Sequence, residues 1–269
     1  MISFPNAKIN LGLHVVRRRP DGFHDLTTGF YPIPWTDALE ILPAEALHFS
    51  QSGLPIPGDP AQNLCLRAYR LLSDLRSLPP VQMHLHKVVP TGAGLGGGSA
   101  DATFALKMLN DQFALQLTVE ELERCAAQLG SDCAIFVRNQ PMLAEGRGEL
   151  LTPCAVDLKG WYIAVVHPGF AIATPEAFRA IQPAEPERPL SEVLAQPVET
   201  WRENLHNDFE AALFPAYPVL ATLKNQLYEA GAVYAAMSGS GSAVFGLFRA
   251  LPDLKQSFSE SYTLWQGVL

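Results

Sequence analysis

Between residues 90 and 102 the chain reads Pro-Thr-Gly-Ala-Gly-Leu-Gly-Gly-Gly-Ser-Ala-Asp-Ala, with glycine at five of the seven positions from 92 to 98. Regular strands and helices do not carry glycine at that density, so the segment is a loop held in place by the rest of the fold. Glycine lacks Cβ and takes positive φ freely, so successive N–H groups can be turned onto one point to cradle an anion. Behind the loop, the spacing of Ala102, Ala105, Leu106 and Leu109 predicts a helix, with Ser99 at the N-cap position. A glycine loop feeding a helix start is a phosphate cradle, because unpaired amides and the helix dipole both favour negative charge there.

Gly92-x-Gly94-x-x-Gly97 also satisfies the dinucleotide fingerprint. That fingerprint belongs to the first strand of a βαβ unit near the start of a domain, with an acid about twenty residues on. Here about ninety residues come first, and Asp111 falls in Asn110-Asp111-Gln112, which reads as a helix end. Gly-x-x-x-x-Gly-Lys-Ser/Thr occurs nowhere, so a Walker loop is excluded for want of its lysine.

With 269 residues, 48% apolar and 17% charged, the chain can build one large or two medium domains with real cores. A formal charge of −8 argues against nucleic acid or an anionic membrane as partner, since both need a basic surface. The anion site must therefore be built locally, from amides. The N-terminal Met-Ile-Ser-Phe-Pro-Asn has no basic segment leading into an apolar run, and no stretch approaches bilayer-spanning length, so the expected location is cytoplasmic. Cys65, Cys125, Cys133 and Cys154 form no Cys-x-x-Cys pair, and buried reduced thiols are expected. His84 and His86 share one strand face without a third residue spaced to complete a metal site.

In chain order, residues 6–16 read as a strand, and Arg19-Pro20-Asp21-Gly22 turns it into a second one. Lys8 and Asn10 fall on one face at period two, and Phe23-His24 follows the turn. Arg17, Arg18 and Arg19 read as mostly solvated, with one of them able to touch an anionic group. A strand is expected at 35–42, a Gly/Pro loop at 50–60, a helix at 63–75, a strand at 81–88 and the post-loop helix to about residue 113. Thr118-Val-Glu-Glu121 is a capping box for a helix that Gly130 stops, and Asp132 follows, between that helix end and the apolar residues 134–137. An acid placed so is poorly solvated, unless it is a plain turn residue. Residues 144–149 suggest a turn with a short strand, and composition shifts near Pro153, where the domain boundary is placed: 1–152 and 153–269.

The second half opens on a buried strand at 161–167. Thr174 is expected to cap a helix with Pro175 at its first position. Residues 182–200 read as a proline-rich surface loop, Asn207 starts a helix, and 218–230 is helical up to Gly231. Ser238-Gly-Ser-Gly-Ser242, expected between a helix and a strand at 243–248, is a second glycine and serine loop that could close on the same phosphates.

Asn6-Ala-Lys-Ile-Asn-Leu11, Asp21-Gly-Phe-His24, residues 90–102, Leu129-Gly-Ser-Asp132, Gly146-Arg-Gly-Glu149 and Ser238–Gly241 occur together in that order. Over nearly its whole length the chain resembles the GHMP kinase superfamily. The resemblance implies a two-domain α/β (α+β) GHMP kinase fold: an N-terminal ribosomal-protein-like α/β domain, a C-terminal ferredoxin-like α/β domain, and an active cleft between them. It implies an ATP- and Mg²⁺-dependent kinase acting on an alcohol. Lys8 and Asp132 match the catalytic lysine and aspartate. Pro90, Thr91, Gly92, Ala93, Gly94, Leu95, Gly96, Gly97, Gly98, Ser99 and Ala100 match the ATP loop; Asn63, Lys87 and Asp101 match the adenine pocket.

Asn10, Phe23, His24, Thr174 and Phe178 match the substrate side. The Asp-Gly-aromatic-His turn points to the branch whose small-molecule substrate is a cytidine diphosphate methylerythritol, used for isoprenoid precursors without mevalonate. Two departures stand out. Phe23 replaces a common tyrosine, keeping a stacking ring and losing a hydroxyl. Ala100 removes a hydroxyl, which leaves Ser99 as the metal or phosphate contact.

Phosphoryl transfer needs the γ-phosphoryl held in line, its charge spread and the attacking hydroxyl deprotonated. The resemblance gives the first task to the loop amides, the proton to Asp132 and the developing charge to Lys8. The alternatives are another GHMP kinase acting on mevalonate, homoserine or a sugar, a Rossmann oxidoreductase, and an RNA-binding module, which the acidic balance disfavours.

Overall fold

In the computed structural model, residues 1–254 and 257–269 are described. The strands are β1 (Ile2–Ser3), β2 (Asn6–Arg18), β3 (His24–Thr36), β4 (Ala38–Pro43), β5 (His48–Gly53), β6 (Val81–Lys87), β7 (Met142–Glu145), β8 (Leu150–Pro153), β9 (Tyr162–His167), β10 (Tyr234–Met237), β11 (Val244–Phe248) and β12 (Thr263–Val268). The helices are α1 (Leu64–Arg76), α2 (Gly97–Gln112), α3 (Val119–Leu129), α4 (Ile135–Arg138), α5 (Thr174–Ala180), α6 (Leu190–Leu194), α7 (Trp201–Asn204), α8 (Asp208–Leu213) and α9 (Pro218–Glu229).

The chain gathers into two compact units, each assembled from separated segments. One comprises Met1–Ala7, Trp35–Thr91 and Gly96–Gln140; the other comprises Lys8–Pro34, Gly92–Leu95 and Pro141–Leu269. Cutting the sequence at 152/153 is thus a division by sequence, and we retain it only as a proposal about sequence domains.

In the first unit a sheet of order β1-β4-β6-β5 carries helices α1 to α4. Strand β6 alternates strictly, with Val81, Met83, Leu85 and Lys87 buried and Gln82, His84 and His86 turned outward. The inner row is buried together with Leu39 and Ile41 of β4, Cys65, Ala68 and Leu72 of α1 and Ala102, Ala105 and Leu106 of α2, all essentially inaccessible to solvent. The same alternation delivers a lysine into the core at position 87, which fixes what must surround it. Residues 50–60, expected as a loop, are instead a strand as far as Gly53: β5 pairs with β6 in parallel, residue by residue. Its polar sequence hides a strand that tertiary pairing imposes, with the Ser50 and Ser52 hydroxyls bonded to His84 and His86.

In the second unit β2-β3-β7-β8 form one sheet and β10-β11-β9-β12 another. The expected N-terminal hairpin is present as β2 and β3. One core joins Leu13 and Val15 of β2, Ala164 and Val166 of β9 and Ile172 to Phe209 and Leu213 of α8 and Leu220, Leu223 and Leu227 of α9. Three expectations change here. Residues 182–200 hold α6 and a 3-10 turn (Val198–Thr200), because Leu190, Val193, Leu194 and Val198 bury one face despite the prolines. The cap of α5 is Ala173, and Thr174 is its first residue without a side-chain cap bond. The loop at 238–242 joins strand β10 to β11; Ala235 and Ala236 have little strand propensity and concealed β10.

The four cysteines are free, three buried and Cys154 half-buried. Burial pushes the Cys133 thiol up to about 11. Among the described residues no helix is long and apolar enough to cross a membrane.

Candidate active site

The glycine loop divides between the units, and each part has its own supports. In the second unit, Lys8 and Asn10 do share a face, but it is not solvated: both are 2% exposed. Lys8 Nζ donates to Asn10 Oδ1 at 2.6 Å and to the Gly94 carbonyl at 3.1 Å, and lies 5.0 Å from the centre of the Phe30 ring. Asn10 Nδ2 donates to Thr28 Oγ1 at 2.9 Å, and Thr28 in turn donates to the Gly12 carbonyl at 2.6 Å. The amide's orientation is thereby fixed, with its oxygen toward the ammonium.

Ser238 Oγ donates to the same Gly94 carbonyl at 2.8 Å and accepts from Asn10 N at 3.2 Å. Ala93 and Leu95 are tied on either side, Ala243 N to the Ala93 carbonyl at 3.1 Å and Lys8 N to the Leu95 carbonyl at 2.9 Å. Gly94 has φ +77° and a Cβ there would overlap the Ser238 carbonyl oxygen, so only glycine fits. The 238–242 loop is itself clamped by Asn207, whose Nδ2 donates to the Met237 and Gly239 carbonyls, each at 2.8 Å.

In the first unit α2 begins at Gly97, not at Ser99. Its N-cap is Gly96 in the left-handed region, and no side chain caps the helix. Among the described residues no side chain caps the first-turn amides, the condition for holding a ligand anion. Gly97 rides directly over Lys87: a Cβ would stand 2.9 Å from its Nζ. Lys87, 1% exposed, donates to Asp101 Oδ2 at 2.7 Å and to Asp37 Oδ2. Asp37 also accepts from Val88 N at 2.5 Å and Val89 N at 2.8 Å, fixing the chain where β6 leaves for the loop. Burial works against the Lys87 ammonium, but the two carboxylates outweigh it and hold it above the ordinary lysine range. Burial pushes Asp101 up to about 7, with Lys87 opposing and Asp37 adding to the rise.

A cavity of about 210 Å³ opens beside this cluster, lined by Ile56, Pro57, Asn63, Thr91, Gly98 and Asp101 among others. Asn63 caps α1 through its oxygen, which accepts from Cys65 N at 2.8 Å. Thr91 Oγ1 and Asp101 Oδ1 are buried without a hydrogen-bond partner among the described residues. Such groups are costly unless a ligand completes them, and an apolar slot with convergent polar atoms suits a nucleobase. At Gly98 an added Cβ would meet only Leu64 Cδ1, at 3.8 Å, so the bare backbone there serves the cavity rather than protein packing.

Asp132 is half-buried in the turn between α3 and α4. Next to it, Cys133 is buried and its carbonyl accepts from Thr103 Oγ1 at 2.8 Å, which ties this turn to α2.

On the substrate side, all in the second unit, His24 and Phe178 stack with centroids 4.9 Å apart at 19°, and Phe209 meets Phe178 edge-on at 5.0 Å. Burial, with Arg18 adding to it, lowers the His24 pKa, favouring the neutral ring. Phe23 is 54% exposed. Thr174 is exposed at the start of α5. Arg17 and Arg18 are exposed, as expected, and Arg19 is half-buried; Arg17 and Arg19 both also bond Asp25, at 2.5 and 2.9 Å.

Asp37 and Thr28 carry no sequence expectation, whereas Asn207 stands at the helix start expected for it and the Ser238 loop does reach the glycine loop, through Ser238 Oγ. Asp37 sits between the end of β3 and the start of β4, where an acid reads as an ordinary turn residue.

Residues 63–140 match the family model for the GHMP kinases N terminal domain, and residues 190–262 that for the GHMP kinases C terminal region. The 4-diphosphocytidyl-2-C-methyl-D-erythritol kinase of Cytophaga hutchinsonii is 52% identical over 254 residues, covering 94% of each chain. This chain belongs to that kinase family within the GHMP kinases. A solved 4-(cytidine 5'-diphospho)-2C-methyl-D-erythritol kinase structure superposes with a TM-score of 0.79 at 34% identity, over 92% of this chain and 90% of the other. A mevalonate kinase structure shares the fold, with a TM-score of 0.74 over 99% of this chain and 98% of the other, at only 14% identity. The family's two-domain mixed α/β architecture is therefore that of this protein.

Proposed function

We infer that the protein transfers the γ-phosphoryl of ATP to a hydroxyl, expected to be the 2-hydroxyl, of 4-diphosphocytidyl-2-C-methyl-D-erythritol, a step of isoprenoid precursor synthesis that bypasses mevalonate. The observation that carries this reading is the 52% identity, over 94% of both chains, to a kinase of that name. The uncapped glycine-rich helix start and the unfilled polar atoms of Thr91 and Asp101 support it independently.

In this reading the first-turn amides of α2 and the loop backbone bind the phosphates, and the cavity beside Asn63, Thr91 and Asp101 takes the adenine. Asp132 accepts the proton of the substrate hydroxyl. Lys8, oriented by Asn10, offsets the charge developing on the migrating phosphoryl. No group of three or more His, Cys, Asp or Glu side chains that could hold a metal occurs among the described residues. Mg²⁺ binds chiefly through phosphate oxygens and water with one or two protein oxygens, and the Ser99 hydroxyl at the start of α2 is our candidate to hold it. The ion would neutralise charge between the β- and γ-phosphates. Phe23, His24, Phe178 and Thr174 would bind the cytidyl end, with neutral His24 reading the base edge.

The test is ADP release from ATP with the cytidyl substrate, mevalonate or homoserine as acceptor. A response to the first alone supports the reading; equal or greater turnover of mevalonate or homoserine overturns it.

A further inference from the structure

The turn between β7 and β8 presents Arg147 between two positive-φ glycines, Gly146 and Gly148. Glu149 folds back so that its carboxylate accepts from Arg147 N at 2.6 Å and lies 3.5 Å from Arg147 Nε. The turn is fastened to β3 by a bond from Leu26 N to the Gly146 carbonyl at 2.7 Å. So held, the guanidinium carbon lies 5.0 Å from the centre of the Phe23 ring. Phe23 is fixed in turn by Asp21, which accepts its N–H at 3.1 Å, and by the Arg19 N–H bonded to the Phe23 carbonyl at 2.8 Å.

Two ring contacts thus neighbour one another in sequence, Arg147 with Phe23 and His24 with Phe178. The second pair, at 4.9 Å, is too close to admit a third ring between its members. A base must therefore use Phe23 or an outer face of that pair. A planar guanidinium is suited to lie on an aromatic face while its terminal amino groups grip an anion, and the Arg147–Glu149 pair is made through Nε, at 3.5 Å.

We propose that Arg147 is a specificity-determining residue that grips the anionic oxygens of the substrate's cytidine diphosphate handle while its guanidinium plane covers Phe23. This rests on the cytidyl-substrate reading above. It gives a cation to a site in an otherwise acidic protein, and a polar contact at the place where Phe23 lacks a hydroxyl.

The experiment compares Kd for cytidine 5'-diphosphate and cytidine by titration calorimetry, in the wild type, Arg147→Ala and Arg147→Lys. The wild type binds the diphosphate at least about 10-fold more tightly than the nucleoside, the size expected of a charged hydrogen bond. Arg147→Ala brings the two within about 2-fold, Arg147→Lys restores part of the gap, and KM for ATP is unchanged. A purely structural role in supporting Phe23 would weaken both ligands equally; an unchanged diphosphate-to-nucleoside ratio in Arg147→Ala overturns the proposal. The parent reading fails in a different way: a wild type that binds neither ligand and releases no ADP with the cytidyl substrate sinks both.

Discussion

Ser238 Oγ and Lys8 Nζ converge on one acceptor, the Gly94 carbonyl, at 2.8 and 3.1 Å. A carbonyl has two lone pairs, and here both are engaged by donors from opposite ends of the chain. The peptide plane at Gly94 is thereby set, and with it the path of the loop into Leu95. Lys8 is tied to the loop that we assign to the phosphates.

Gly94→Ala tests that closure. The new Cβ meets a backbone oxygen that cannot rotate away, at a φ that alanine adopts only with strain. The expected outcome is a loss of about 1–3 kcal/mol of stability in urea unfolding, with a raised KM for ATP. Gly98→Ala, where the protein leaves room, should keep stability while still weakening ATP binding.

Asp132→Asn removes the proposed base while keeping the side chain's shape. Turnover should fall by about 10² to 10⁴, with ATP affinity nearly intact by titration. A collapse of ATP affinity with a high residual rate contradicts the assignment.

The buried Lys87, Asp37 and Asp101 cluster carries a pH signature. Asp101 is raised in the folded state to about 7, so the native protein holds a proton that the unfolded chain releases at lower pH. Its contribution to stability is therefore full below the ordinary carboxylate range and lost as pH rises through about 7. In urea unfolding, Asp101→Asn should gain stability relative to wild type between about pH 5 and about pH 7.5. A difference that does not change with pH rules out a raised Asp101.

Local grammar made much of this legible. The capping box at Thr118 and Glu121 and the run of glycines leading into α2 each announce themselves within a few residues. Period two placed Lys8 beside Asn10 correctly, but could not show that the shared face was buried, because burial depends on Gly94 and Ser238, more than 80 residues away. Asp37 was missed for the same reason: its partners Lys87, Val88 and Val89 lie about fifty residues on. Strands β5 and β10 stayed hidden because serine, glutamine and alanine carry little strand signal; their neighbours β6 and β11 supply the pairing. At Ser99 the sequence offered a plausible cap, yet the helix starts earlier, at a glycine that leaves its amides open.

The account turns on Lys8 acting in transfer rather than in nucleotide binding. The most direct measurement is ADP release by Lys8→Met with saturating ATP and cytidyl substrate, read beside ATP affinity measured by titration on the same protein. The account predicts a rate lower by about 10² or more with ATP affinity within a few-fold of wild type. A variant that turns over at near wild-type rate would contradict it.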